Sequence, residues 1–210
     1  MTIPKVGCST IKRTLQAFEG YGVTPLNRLN DVHHGANGIH LGAYPANVSR
    51  LILESPHIFK FVMVRNPYER LYSAWKSKIA SGDPDYEILR RELKKKYRVE
   101  EVSFSVLVEA MAAKASPFFE QDAHFMPQTT IALPHLVEYD FVGKMERFGI
   151  DFGHILDVID APNEVRCIGA QRTNATKPGG YSYNSWSASQ VERLFAKDFE
   201  VFHYDPDDWR

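Results

Sequence analysis

The feature that most constrains the fold is a short apolar segment, residues 58–64 (IFKFVMV), which is bounded by turn-forming residues. An almost continuous apolar run of this length is typical of a strand that is buried on both faces of a parallel sheet. A helix should follow at once, because Asn66 suits the N-cap, Pro67 the first helical position and Glu69 the third. A buried strand that leads directly into a helix predicts an α/β fold.

The rest of the chain alternates between helical and extended patterns. A second strand is predicted at 135–144, and residues 20–42, rich in Gly, Asn and His, are predicted to form a loop. We expect one α/β domain over residues 1–210, with a central, mostly parallel sheet flanked by helices. The predicted helices are 10–18, 45–53, 66–79, 85–98, 103–114, 148–159 and 187–199, the last with Ser187 and Gln190 as its capping box.

Composition excludes several classes of protein. No apolar stretch reaches the roughly 18 to 20 residues of a membrane span, and the N-terminus lacks a signal-peptide core, so we predict a cytoplasmic protein without a membrane span. Cys8 and Cys167 lack zinc-ligand spacing, so neither a disulfide framework nor a metal centre is expected. Residues 1–98 carry a net charge of +8 and residues 99–210 one of −9, which favours an anionic ligand rather than nucleic acid.

The first candidate anion site is the glycine turn of residues 4–10 (PKVGCST). A turn that leads into a helix leaves backbone N–H groups exposed at the positive end of the helix dipole, where anions bind. The order of residues differs from the nucleoside-triphosphate P-loop, because Lys5 precedes Gly7 here. The turn by itself is equally compatible with an ordinary capped turn.

The second candidate anion site lies where the predicted strand 58–64 meets its helix. Arg65 comes at the carboxyl end of the strand, the edge at which open α/β sheets bind ligands. Ser73 follows two helical turns beyond the cap, so that Arg65 and Ser73 could hold one phosphate through a charged fork and a hydroxyl. Taken alone, Ser73 is better explained as a small residue for helix packing.

Five segments of the chain carry a resemblance to a known family. PKVGCSTIKR, FVMVRNPYERLYSAWKSK, DAHFMP, YDFVGKMERF and FAKDFEVFHY occur in this order and extend over nearly the whole chain. They resemble the carbohydrate sulfotransferases, the group that contains the chondroitin and HNK-1 sulfotransferases. The first segment is similar to the family's 5′-phosphosulfate loop and the second to its 3′-phosphate motif. One departure is that only residues 1–3 precede the turn, so either the family's first strand is very short here or the chain as written starts late.

The resemblance implies a P-loop-like sulfotransferase core that binds the donor 3′-phosphoadenosine 5′-phosphosulfate without a metal. Arg65 and Ser73 would hold the 3′-phosphate. Lys5 would also act in catalysis, by neutralising the charge that grows on the departing phosphate. The residues implied to bind the 5′-phosphosulfate are Lys5, Val6, Gly7, Cys8, Ser9 and Thr10.

The acceptor hydroxyl needs a base, and histidine is the natural candidate near neutral pH. In the sulfotransferase superfamily the catalytic histidine commonly lies in the loop before the 3′-phosphate strand, so the resemblance favours His34 or His40. His33 lies in the same loop. His124 resembles the family's His-aromatic pair and is predicted to line the acceptor site. For each histidine, a solvated loop residue is an equal alternative.

Two other functions compete with sulfate transfer to a sugar hydroxyl. A P-loop kinase-like phosphotransferase would need the Walker order of residues and a magnesium-binding carboxylate, and neither is visible. A nucleotide- or glycan-binding module without the base would keep both anion sites. The basic residues within 90–98 would allow an anionic acceptor such as an acidic glycan, although a solvated helix face is the preferred interpretation of that run.

Overall fold

The computed structural model describes residues 2–33, 41–171 and 183–209. Helices dominate, and the two strands are short: β1 is Phe61–Val64 and β2 is Phe141–Lys144. The α-helices are α1 (Cys8–Phe18), α2 (Ala46–Glu54), α3 (Pro67–Ala74), α4 (Glu87–Tyr97), α5 (Phe104–Ala112), α6 (Phe118–Gln121), α7 (Gln128–Ala132), α8 (Phe148–Val158), α9 (Asn163–Ala170), α10 (Ser185–Leu194) and α11 (Ala196–Phe202).

β1 and β2 pair in parallel, beginning with Phe61 opposite Phe141. Residues 62–64 are buried, as expected for a strand that is covered on both faces. Both strands are shorter than predicted. Before they begin, the Asp140 carboxylate accepts the backbone N–H of Lys60 at 2.7 Å, and the Lys60 carbonyl accepts the backbone N–H of Asp140 at 2.8 Å. A parallel pair of strands together with helices confirms the predicted α/β class.

α3 begins as its sequence predicts. The Asn66 side chain accepts the backbone N–H of Tyr68 at 2.9 Å, and Pro67 occupies the first helical position. Beyond α3 the chain continues as a π-helix, Trp75–Ala80, a wider form that is common at functional sites. The sequence predicts a core stripe of Leu71, Ala74, Trp75 and Ile79 on this helix; Leu71, Ala74 and Ile79 are buried, and Trp75 is half-buried.

Two predictions of secondary structure need correction. The helix predicted at 187–199 is divided at Phe195 into α10 and α11. The capping box of α10 is formed by Asn184 and Ser187 rather than by Ser187 and Gln190. The Asn184 side chain accepts the Ser187 N–H at 2.8 Å, and the Ser187 hydroxyl accepts the Asn184 N–H at 3.1 Å. The loop predicted at 20–42 contains 3₁₀-helices at Leu26–His33 and Leu41–Ala43.

Contacts within the chain define two compact units. In the described residues, the first unit contains 2, 6–33, 41–64 and 133–171, with the strand pair and with α1 packed against α9. The second unit contains 3–5, 65–132 and 183–209, and part of its core is aromatic. The ring of Tyr68 lies 5.0 Å from that of Tyr183 and 5.1 Å from that of Phe199. A single domain over 1–210 stays a prediction.

Candidate functional site

The amino end of α1, in the first unit, has the geometry of an anion site. Gly7 is the N-cap with φ +81°, and an added Cβ would lie 2.7 Å from the Phe148 ring, so both the backbone and the packing require glycine. The first helical hydrogen bond runs from the Ile11 N–H to the Gly7 carbonyl at 3.0 Å. The N–H groups of residues 8–10 precede that bond and point out of the helix end, where the dipole favours negative charge.

His33 is tied to this helix end by both ring nitrogens. The Ser9 hydroxyl lies 2.9 Å from Nε2, and the Lys12 ammonium lies 3.2 Å from Nδ1. Burial lowers the pKa of Lys12, although the nearby Cys8 opposes the change. While Lys12 carries its proton it can only donate, so Nδ1 accepts and Nε2–H donates to Ser9. This tautomer keeps a proton on Nε2 of His33.

In the second unit, a polar stripe runs along α3 and its π-helical continuation. Arg65, Glu69, Ser73 and Ser77 form this α3 stripe, and their spacing of four residues places neighbouring members on one side of the helix. Lys5 extends along the stripe: its carbonyl accepts from Arg65 Nη1 at 3.3 Å, and its ammonium donates to the Ser77 hydroxyl at 2.8 Å. Lys5, Arg65 and Ser73 are therefore brought to one place, although 60 residues separate Lys5 from Arg65 in the sequence.

The Arg65 guanidinium is held in a defined orientation. Its side chain is only 13% exposed, and Glu69 Oε2 accepts from Nε at 3.2 Å and from Nη2 at 2.9 Å. Lys5 has φ +71°, a left-handed conformation that is costly for a residue other than glycine and is often found at functional sites. Two cations and one carboxylate give this group a net positive charge, which attracts an anion.

The backbone of Arg65 is fixed by a buried amide. Gln128 is fully buried, and its side chain accepts the Arg65 N–H at 2.9 Å and donates to the Arg65 carbonyl at 2.8 Å. Asp198, also fully buried, accepts the backbone N–H groups of Gln128 and Thr129 at 2.7 and 2.8 Å. Gln128 was not among the predicted site residues, although it lies just beyond the DAHFMP segment.

Arg70 joins three segments of the second unit through its buried guanidinium. It is 1% exposed and donates to the carbonyls of Pro4, Met126 and Ala123 at 3.2, 2.8 and 2.6 Å. Burial lowers the pKa of Arg70 to about 10, and the Asp198 carboxylate opposes the change. The start of the glycine turn, α3 and the segment that contains residue 124 therefore converge on one side chain.

His124 belongs to a cluster with Tyr86 and Asp122. His124 Nδ1 lies 2.9 Å from Asp122 Oδ1 and 3.0 Å from the Tyr86 hydroxyl, which donates to Asp122 Oδ2 at 2.9 Å. Burial, followed by the hydrogen bond to Asp122, raises the pKa of Tyr86. Burial also disfavours the charged form of Asp122, but the hydrogen bonds from His124 and Tyr86 outweigh it, so the pKa of Asp122 lies below its usual value. Such a cluster can hold a proton on a chosen atom.

Comparison with known proteins shows the family of this chain. The sequence profile of the sulfotransferase family matches residues 1–205. The chain belongs to the sulfotransferase family. Carbohydrate sulfotransferase 14 of Danio rerio is 32% identical over 220 residues, which cover 96% of this chain and 58% of that protein. Carbohydrate sulfotransferase 9 of Homo sapiens is 28% identical over 221 residues, which cover 96% of this chain and 48% of that protein.

The chain spans about half the length of these curated relatives of the sulfotransferase family. No solved structure matches the chain significantly. Membership of the sulfotransferase family confirms the resemblance drawn from the five segments. Among the described residues, no helix has the length and apolar character needed to cross a membrane. A cytoplasmic location stays a prediction.

The predicted site residues have different outcomes. His34 and His40 lie outside the described residues, so their assignment as the base stays a prediction. Lys5 and the α3 stripe come together, whereas the sequence analysis did not identify Ser77 or Arg70 as members of the site. The repeated spacing of four residues from Arg65 was a signal for Ser77. No comparable signal existed for Arg70, since its partners are backbone carbonyls of distant segments.

Proposed function

We propose that this protein transfers a sulfuryl group from 3′-phosphoadenosine 5′-phosphosulfate to a hydroxyl of a carbohydrate. The observation that carries the proposal is that Lys5 contacts both ends of the α3 stripe, with its carbonyl on Arg65 and its ammonium on Ser77. Membership of the sulfotransferase family supports sulfate transfer. The names of the relatives, carbohydrate sulfotransferases, support a carbohydrate acceptor.

The donor carries negative charge at two positions, and the chain offers binding groups for each. In our proposal Lys5 and the N–H groups of residues 6–10 bind the 5′-phosphosulfate, in a P-loop-like manner. Arg65 and Ser73 bind the 3′-phosphate. A guanidinium has five N–H donors, so Arg65 can contact a phosphate while it keeps its pair with Glu69. Glu69 then serves to orient the guanidinium before the donor binds.

The chemistry needs an in-line nucleophile and stabilisation of the leaving group. The acceptor oxygen forms a new bond to sulfur while the bond from sulfur to the 5′-phosphate breaks, and negative charge grows on that phosphate. We assign Lys5 to this developing charge. The acceptor hydroxyl also loses a proton, for which the sequence proposes His34 or His40.

Substitution of Arg65 tests the donor site. Arg65→Ala should weaken binding of the desulfated nucleotide by about 2 to 4 kcal/mol, the scale of losing a charged hydrogen-bonded partner from a bound anion. Isothermal titration calorimetry measures the affinity, and circular dichroism checks the fold. Arg193→Ala is the matched control, because Arg193 is exposed in the same unit and donates to Gln190. Unchanged affinity in a folded Arg65→Ala protein would contradict the assignment.

Transfer of labelled sulfate tests the reaction. The wild-type protein should transfer sulfate from the donor to at least one member of a panel of neutral and acidic glycans. Nucleotide binding without transfer to any member would instead indicate a binding module. Failure to bind the nucleotide would reject both functions.

A further inference from the structure

We infer that His124, instead of the His34 or His40 favoured by the family resemblance, is the catalytic base, which takes the proton of the acceptor hydroxyl through Nε2, and that Asp122 and Tyr86 position its ring. The inference rests on the proposed sulfate transfer. In this step the acceptor O–H bond breaks and its proton moves to Nε2, while the acceptor oxygen forms the new bond to sulfur. The electron pair of the broken S–O bond leaves with the desulfated nucleotide, so atoms and charge balance without a further reactant.

The hydrogen bonds of the cluster determine which ring nitrogen of His124 is basic. An ionised Asp122 can only accept, so the proton in the 2.9 Å contact between Nδ1 and Oδ1 belongs to the imidazole. A neutral imidazole with its proton on Nδ1 has its lone pair on Nε2. Within the described part of the chain, no hydrogen bond engages Nε2 of His124. The side chain is 26% exposed, so a substrate hydroxyl can reach it.

The backbone next to His124 is fixed in its position beside the donor-site residues. Arg70 donates to the carbonyl of Ala123, which precedes His124, and to the carbonyl of Pro4, which precedes Lys5. Both carbonyls therefore contact the same guanidinium. Lys5, proposed to stabilise the leaving phosphate, and His124, proposed to take the proton, therefore each follow a carbonyl that is bound by Arg70.

His33 has the opposite arrangement. Its Nε2 carries the proton and lies against Ser9, and its Nδ1 faces the Lys12 ammonium. A charged lysine beside the ring also disfavours the imidazolium that a base must become. Of these two histidines, His124 is the one whose Nδ1 contacts a carboxylate and whose Nε2 makes no hydrogen bond within the described part of the chain.

Several other charges surround the cluster and set its pH dependence. The Lys78 ammonium lies 5.1 Å from the centre of the Tyr86 ring. Asp83 and Asp85 act on the hydroxyl of Tyr86, and Arg70 interacts with Asp122. Asp122 is the carboxylate in direct contact with the imidazole, so its removal is the substitution that tests the positioning of the ring most directly.

The test compares His124→Gln with His57→Gln. Gln keeps a polar side chain but cannot act as a base near neutral pH, and His57 is an exposed histidine elsewhere in the chain. His124→Gln should bind the desulfated nucleotide with the wild-type affinity and transfer sulfate about 100- to 10,000-fold more slowly. The acidic limb of the pH–rate profile should disappear in His124→Gln and persist in His57→Gln.

Asp122→Asn gives a second, independent readout. Without the carboxylate, the Nδ1–H of His124 loses its charged acceptor, so sulfate transfer should slow while the desulfated nucleotide still binds with the wild-type affinity. A near wild-type rate in His124→Gln would overturn the inference. A wild-type transfer rate in Asp122→Asn would do the same, as would loss of the acidic limb in His34→Gln or His40→Gln instead. Nucleotide binding by the wild type without transfer to any glycan would reject the proposed function itself, whatever the variants show.

Discussion

Replacement of Arg70 by methionine is a direct test of how the second unit is held together. Methionine keeps an unbranched side chain of similar reach but has no N–H donors. It would leave the carbonyls of Pro4, Ala123 and Met126 without this donor in a site where Arg70 is 1% exposed. The glycine turn would then lose its connection to α3 through this guanidinium.

Two opposing terms determine the magnitude. Hydrogen bonds from a charged group contribute about 1.5 to 3 kcal/mol each, so the three bonds together contribute about 4.5 to 9 kcal/mol. Burial lowers the pKa of Arg70 to about 10 from an ordinary 12.5, which corresponds to about 3 kcal/mol that methionine recovers because it buries no charge. The hydrogen bonds outweigh the burial cost, and Arg70→Met should lower the free energy of unfolding by about 1 to 6 kcal/mol.

Urea unfolding followed by circular dichroism measures this change, provided that the slope with denaturant is the same in both proteins. Arg50→Ala is the control, because Arg50 is 76% exposed and pairs only at the surface with Glu54, an interaction worth about 0 to 1 kcal/mol. The loss of unfolding free energy in Arg70→Lys should lie between those of Arg70→Met and Arg50→Ala, because an ammonium keeps the charge but cannot span all three carbonyls. Equal midpoints for Arg70→Met and Arg50→Ala would refute the reasoning.

Two further predictions concern the turn and the cluster. Gly7→Ala should lower the free energy of unfolding by about 2 to 4 kcal/mol, because the backbone there is left-handed and the added Cβ would contact Phe148. Gly20→Ala is the control, since Gly20 also has a left-handed backbone, with φ +75°, but has open space around it. It should cost only about 1 kcal/mol in the same urea assay. Equal costs would show that Phe148 does not restrict the turn. The pKa of Asp122 is lower in the folded than in the unfolded state. The charge of Asp122 therefore stabilises the fold above about pH 3.9, and this stabilisation is lost as the pH falls through the folded pKa. Wild type should therefore exceed Asp122→Asn in stability at pH 7 and lose that advantage on acidification, and a difference that does not depend on pH would argue against the ionised cluster.

Local sequence determines the parts of this protein that depend on neighbours in the chain. The apolar run before Arg65 encodes β1, and Asn66 with Pro67 starts α3, because capping and burial act over a few residues. Gly7 marks the turn for the same reason, since its backbone conformation suits glycine. These short-range signals were enough to predict the strand, the helix start and the glycine turn.

Tertiary structure decided which of these residues meet and in what chemical state. Lys5 reaches Ser77 and Arg65 only because the folded second unit places residues 3–5 along α3. Arg70 looks like an ordinary helical arginine until three distant carbonyls surround it. The His124 ring likewise contacts the hydroxyl of Tyr86, 38 residues away in sequence. Hydrogen bonds between distant segments leave no periodic pattern in a sequence, because each depends on where the whole chain places two atoms within about 3 Å of one another.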